Sequence, residues 1–281
     1  IFGFLGAVDL AGYGDLAEVQ RQLAGLVVEG HGQSRTYPFI DRKVITAWNA
    51  MMIKTLFVLG RDTPSYRTQA IACLERLTET MVIEEQLKHS ALIHKIPKID
   101  AFLEDYAYLC TALIEAYQST LEETYLIHAQ RFANKALELY YEEGKWFFSR
   151  GAFTTVAELD DGTYPSAMAV MVDVLLSLGI LVDPKYRHFA YKSLEYVSIK
   201  LMKTPIYYPT LTEQTIRYLK EQRLIKGSSE NLLNLSKTFV YPFVLLKNDE
   251  TLEELTVCGE NACFAATKDG SKLDGLIAST L

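Results

Sequence analysis

Thr46 to Leu59 reads TAWNAMMIKTLFVL and carries a single charge, Lys54. A helix with apolar residues on every side has no face to offer water, so it must be covered all round. Ser166 to Leu178 (SAMAVMVDVLLSL) has the same character, with Asp173 its one charge. The segments between and after them are of another kind. Tyr66 to Met81 is apolar at Ala70, Leu74, Leu77 and Met81. Thr124 to Tyr140 repeats this at Tyr125, Ala129, Phe132, Ala136 and Tyr140, and Tyr186 to Leu201 does so at Phe189, Leu194, Val197 and Leu201. These i, i+3, i+4 spacings bury one stripe and wet the opposite face. In chain order the pattern is inner (46–59), outer (66–81), inner (101–118), outer (124–140), inner (166–178), outer (186–201). A helical hairpin thus recurs about every 55 to 65 residues.

This pattern predicts an all-α fold of helical hairpins. It stacks as an α-solenoid or closes into an α/α toroid, complete or incomplete. Long aromatic-rich connections favour closure, with small β-hairpins at the cavity mouth and the C-terminus. Gly144 to Leu159 (GKWFFSRGAFTTVAEL) pairs two aromatic and β-branched runs around Arg150-Gly151, a hairpin signature. Ser90 to Ile99 reads as extended, and Glu253 to Thr267 as a hairpin turning at Gly259-Glu260-Asn261. Further helices are expected at Leu16 to Leu26 and Leu211 to Gln222, and a strand at Thr238 to Leu246. The expected organisation is one domain over 1–281 with a β-rich C-terminal appendage at 239–270. With no initiator Met and no basic segment before an apolar one, the chain reads as the C-terminal part of a longer protein.

Composition narrows the function classes. Of 281 residues 49% are hydrophobic and 22% charged, with a formal net charge of −7. That balance argues against nucleic acid and anionic membranes as partners. The longest apolar run, Ala167 to Leu181, is interrupted by Asp173 and falls short of a span. Four scattered cysteines do not form a secreted disulfide scaffold, so a cytoplasmic home is expected. Cys73 and Cys110 fit buried small hydrophobes. Cys258 and Cys263 fit a redox pair, half a metal site, or two free thiols on a short hairpin.

Three polar and aromatic stretches stand at the starts of inner helices: Asp41 to Asn49 (DRKVITAWN), Asp100 to Ala107 (DAFLEDYA) and Glu158 to Ser166 (ELDDGTYPS). In a ring these helix ends converge on one mouth. Carboxylates with Trp and Tyr suit a sugar, whose C–H face stacks on rings and whose hydroxyls donate to carboxylates. The candidate acid/base residues are Asp105, Glu104 and Asp41, with Asp105 preferred. Lys43, Trp48, Asn49, Tyr106, Asp161 and Tyr164 are the candidate substrate contacts. Each has a structural alternative. First-turn acids such as Glu104 and Asp105 offset the open N–H groups and dipole of a helix start. Trp48 in an apolar helix reads as core, Asn49 and Asp173 as buried groups needing partners. The five histidines show no metal spacing, with His94 nearest the expected mouth. No metal or cofactor is expected.

Taken together, Arg35-x-x-Pro38-x-x-Asp41-x-Lys43 running into Thr46-x-Trp48-Asn49, Phe102-Leu103-Glu104-Asp105-Tyr106-Ala107, Asp161-Gly162 with Pro165-Ser166, and the Cys258/Cys263 hairpin resemble one known family. They are similar to the C-terminal region of the thioredoxin-domain-containing proteins related to the spermatogenesis-associated protein. That resemblance implies an (α/α)6 toroid like six-hairpin glycosidases and N-acylglucosamine 2-epimerases, with a thioredoxin-like domain upstream in cis. It departs at Ala50, where the family tends to have Gly, and at Ala167-Met168-Ala169, where it tends to read Gly-Asn-Ser. Two functions follow as expectations. One is a carbohydrate-active domain, hydrolase or epimerase-like. The other is a catalytically inactive scaffold or interaction module beside a thioredoxin-like domain.

Overall fold

The computed structural model describes residues 41–151, 153–220, 222–235 and 243–278. The helix expected at Leu16 to Leu26 lies outside them, as does most of the strand expected at Thr238 to Leu246. A boundary between two units falls between Lys43 and Val44. From β1 (Lys43–Ile45) the chain enters α1 (Thr46–Leu59) and α2 (Pro64–Met81), then β2 (Val82–Ile83), β3 (Gln86–Leu92) and β4 (Ile99–Asp100). The pair α3 (Leu103–Thr120) and α4 (Glu123–Tyr140) leads into β5 (Tyr141–Glu142), β6 (Lys145–Ser149) and β7 (Thr155–Val156). After α5 (Ala167–Leu181), α6 (Lys185–Lys203) and α7 (Pro209–Lys220) come β8 (Arg223–Gly227), α8 (Ser229–Leu235), β9 (Val244–Asn248), β10 (Leu255–Cys258), β11 (Cys263–Thr267) and α9 (Leu273–Ala278).

The helix pairs follow the burial pattern of the sequence. α3 is buried along nearly its whole length and packs against α1, α4 and α5. In α4 the buried residues are Leu126, Ala129, Phe132, Ala133, Ala136 and Tyr140, one stripe of an otherwise wet helix. Gly60 closes α1 where the chain turns into α2. A Cβ there would stand 2.8 Å from the backbone nitrogen of Arg67, so only glycine admits so close a crossing. Pro64 opens α2 at a position where a missing N–H costs nothing.

The fold is nevertheless not an all-α toroid. Among the described residues eleven strands form three sheets, and the molecule is mixed α and β with many helices. One sheet runs β1-β3-β2 with β4 on β3, the second β5-β6-β7, and the third β11-β10-β8-β9. Much of the strand content follows outer helices without a break. α2 runs directly into β2, and β2 turns back into β3 through Glu84 and Glu85, at φ 48° and 64°. α4 does the same through Glu143 and Gly144, at φ 45° and 92°. Two consecutive left-handed residues give the tight turn that matches strand twist. Strands of two residues carry no readable alternation, which is why helical periodicity dominated the sequence. The third sheet was underestimated for another reason. Its centre, β8, is buried and pairs in parallel with β9, so it lies upstream of 239–270 and shows no alternation.

The edge of the third sheet is tied to the helices by side chains of α3 and by Lys247, whose Nζ donates to the Leu181 carbonyl at 2.7 Å. β9 is an edge strand, and the buried Gln118 amide near the end of α3 pairs with Leu246 in both directions. Its Nε2 donates to the Leu246 carbonyl at 2.9 Å, and its Oε1 accepts the Leu246 N–H at 2.8 Å. Tyr117 accepts the Asn248 N–H at 3.1 Å. A helix thus occupies hydrogen-bonding positions that a further strand would use.

Candidate functional site

The site grows from the start of α3. Asp105 is fully buried at the third helical position. One oxygen accepts the N–H of Ala47 in the first turn of α1, at 3.0 Å. The other accepts the N–H of Phe102, just before α3, at 2.9 Å, and lies 2.9 Å from His89 Nδ1 on β3. A single carboxylate therefore satisfies donors at two helix starts and fixes a histidine ring between them. All three partners present N–H groups when Nδ1 carries the imidazole proton, the tautomer this geometry selects. Burial pushes the Asp105 carboxyl upward, and His89 and the two backbone donors pull against it.

Glu104 takes a different path. It is half-buried, and desolvation followed by the neighbouring Asp105 charge raises its carboxyl above the ordinary value. The Tyr164 hydroxyl donates to it at 3.4 Å, and the Trp48 indole reaches the same hydroxyl. Tyr164 in turn sits edge-on to Tyr108, whose hydroxyl donates to the Pro165 carbonyl at 2.6 Å. Trp48 is 50% exposed and Tyr164 37% exposed. The His89 ring tilts against Phe102, with centres 4.7 Å apart, and Phe102 stacks on Phe148 at 5.1 Å.

The structure thus brings Trp48, Glu104, Asp105 and Tyr164 together. Trp48 is not the core residue that its apolar helix suggested, because that helix keeps one edge in water. Other candidates lie elsewhere. Tyr106 is buried, its ring against Phe132 and Tyr140. Asn49 donates to the Ile45 carbonyl one turn back, at 2.8 Å. Asp161 accepts the backbone N–H groups of Ser166 and Thr210, at 2.8 and 2.7 Å, joining the starts of α5 and α7. In the unit before Val44, the exposed Asp41 pairs with Lys43 at 3.1 Å, and the Lys43 backbone and side chain hold its carboxyl low. His89, not His94, is the histidine of this site. No spacing in the sequence points to it, because its partner Asp105 meets it only when β3 lies against the start of α3.

His89, Glu104 and Asp105 each offer a ligand atom, all within 4.8 Å of one another. The Asp105 oxygens, however, already receive three N–H donors, so the cluster is arranged to share protons more than to hold a cation. Cys258 and Cys263 form a disulfide across β10 and β11, not two free thiols. Cys110 is buried as expected, whereas Cys73 is exposed. No described helix is long and apolar enough to cross a membrane.

No family model matches the chain. It is 28% identical over 189 residues to spermatogenesis-associated protein 20 of Homo sapiens, covering 60% of this chain and 24% of that protein. The Rattus norvegicus protein of the same name is 28% identical over 196 residues, covering 62% and 25%. An uncharacterized protein of Caenorhabditis elegans, B0495.5, is 25% identical over 192 residues, covering 63% and 26%. The matched region spans about a quarter of the length of these relatives.

Proposed function

We propose that the surface formed by Trp48, Tyr164 and Glu104 binds a small hydroxyl-rich ligand of the carbohydrate class. The observation that carries this reading is the pair of half-exposed rings flanking a carboxyl held toward its protonated form. Rings of this kind stack on C–H faces, and Glu104 accepts a hydroxyl when ionised or donates when protonated. Hydrolysis of a glycosidic bond is less well supported. It needs two working carboxyl groups about 5–10 Å apart. Asp105 is committed to three donors and Asp161 to two backbone N–H groups. Any turnover would rest on Glu104 beside the His89–Asp105 pair, closer to an epimerase's proton transfer than to a glycosidase's two acids. A cytoplasmic setting and a thioredoxin-like domain upstream belong to the same proposal.

The alternative is an interaction module. It draws on the exposed apolar residues Ile199, Met202, Ile206 and Tyr207 at and beyond the end of α6, which are 70%, 85%, 82% and 62% exposed. Titration of a monosaccharide and disaccharide panel into wild type, Trp48→Ala and Glu104→Gln, read by nitrogen–proton NMR, separates the two. Specific shifts in wild type that weaken at least tenfold in both variants are the expected result. An absence of shifts with every sugar leaves the interaction module.

A further inference from the structure

A second polar region lies along the same helices and shares no residue with the ring-flanked surface. A cavity of about 210 Å³ is walled by α1, α3, α5, α7 and β9. At roughly 30 Å³ per water it has room for about seven waters, or one small metabolite. It is half open, with the exposed Glu213 in its lining, and that lining is largely polar. Arg217, 5% exposed, reaches Asp173, the Ser177 hydroxyl at 3.0 Å and Gln222 with its terminal nitrogens, yet its Nε has no partner. Gln214, 4% exposed, has an Oε1 with no partner. Lys54, the one charge on α1, has no hydrogen-bond or ion-pair partner among the described residues. Glu115 gives one oxygen to Arg61 at 2.7 Å and also faces the cavity.

Buried polar atoms left unpaired are costly, so Arg217 Nε and Gln214 Oε1 indicate that an occupant supplies the missing bonds, with the half-buried Lys54 and Glu115 beside them. The inventory sets the chemistry of the occupant. Arg217 Nε requires an acceptor and Gln214 Oε1 a donor, and beside them Lys54 offers donors and the free side of Glu115 an acceptor. The lining holds two cations, Lys54 and Arg217, against three carboxylates, Glu115, Asp173 and Glu213. With Glu115 paired to Arg61 and Asp173 to Arg217, the unmatched charges of the lining are Lys54 and Glu213, one of each sign, which suits an occupant neutral overall. We propose that the cavity binds a small zwitterion of the free amino-acid class. Its carboxylate lies toward Lys54 and Arg217 Nε, and its ammonium toward Gln214 Oε1 and Glu115. The inference is independent of the sugar reading, because it uses none of Trp48, Glu104 or Tyr164.

The test is a thermal-shift and calorimetric screen of the intact chain against the twenty free L-amino acids. The amide and the deaminated hydroxy-acid of each binder serve as single-charge controls. At least one amino acid is expected to raise the melting temperature and to bind at least tenfold more tightly than either control. Lys54→Met and Gln214→Leu should each weaken that binding at least tenfold. Gln214→Leu should also raise the melting temperature of the unliganded chain, since it removes a buried acceptor without a partner. The proposal falls if no amino acid shifts wild type, if a control binds as well as its parent, or if both variants bind unchanged. Trp48→Ala, which leaves the cavity intact, should bind the amino acid as wild type does, so failure of the sugar reading would not be mistaken for failure here.

Discussion

Neighbouring acids on one helix turn do different work because one faces backbone donors and the other faces a phenol. Asp105 joins two helix starts, so Asp105→Ala should destabilise by about 2–4 kcal/mol, the sum of two lost caps. Urea denaturation measures this, and a loss under 1 kcal/mol would show the caps to be idle. Glu104 makes a pH-dependent prediction. Its folded-state carboxyl sits above the ordinary value of 4.5. The native state therefore holds a proton that the unfolded chain releases, and wild-type stability falls as pH rises through the window just above 4.5. Glu104→Gln lacks that fall. Its stability relative to wild type should increase from pH 4 to pH 7, as read from urea midpoints at both; a flat difference contradicts the assignment. Of these two residues, the sequence showed the helix-start role plainly. What it could not show was which acid would be buried, since that depends on α1 and β3 lying opposite.

The elements were legible in proportion to their length. α2, α4 and α6 are legible because successive turns repeat one apolar stripe, and α1 and α5 because long, nearly uncharged runs read as buried helices. The two-residue strands β2, β4, β5 and β7 carry no period, and β8, buried on both faces, does not alternate. Trp48 was misjudged because an apolar helix gives no sign of which edge stays wet. His89 was missed because a lone histidine on a strand has no spacing partner. The two hairpins that follow outer helices offer a matched pair of tests. At Gly144, φ is 92° and a Cβ would stand 2.4 Å from the Lys192 carbonyl oxygen, so Gly144→Ala should cost at least about 2 kcal/mol. At Glu85 a non-glycine residue holds φ 64°, and Glu85→Gly should stabilise by about 0.5–1 kcal/mol. Its ion pair with Arg131 at 3.7 Å is exposed and contributes little. Thermal melts that move both variants in the same direction would refute this account of the turns.

Over the whole molecule, the helices and the third sheet share one apolar core, and Gln118 and Tyr117 fix the sheet's β9 edge to α3. Gln118→Leu keeps the volume of the side chain but leaves the Leu246 N–H and carbonyl without their partner. A loss of about 2–4 kcal/mol is expected, seen as a lower urea midpoint. Hydrogen exchange should show β9 amides losing protection along with the C-terminal end of α3. Exchange changes confined to α3 would mean that the sheet stands without it. The coupling also bears on association. An open β edge invites a second chain to add itself, and repeated addition grows fibres. At the β9 edge, Gln118 and Tyr117 of a neighbouring helix occupy the open hydrogen-bonding positions, so the leucine variant should turn cloudy at a lower temperature than the parent at the same concentration. Guarding this edge against a second chain is partly the work of a glutamine that no strand pattern would have pointed to.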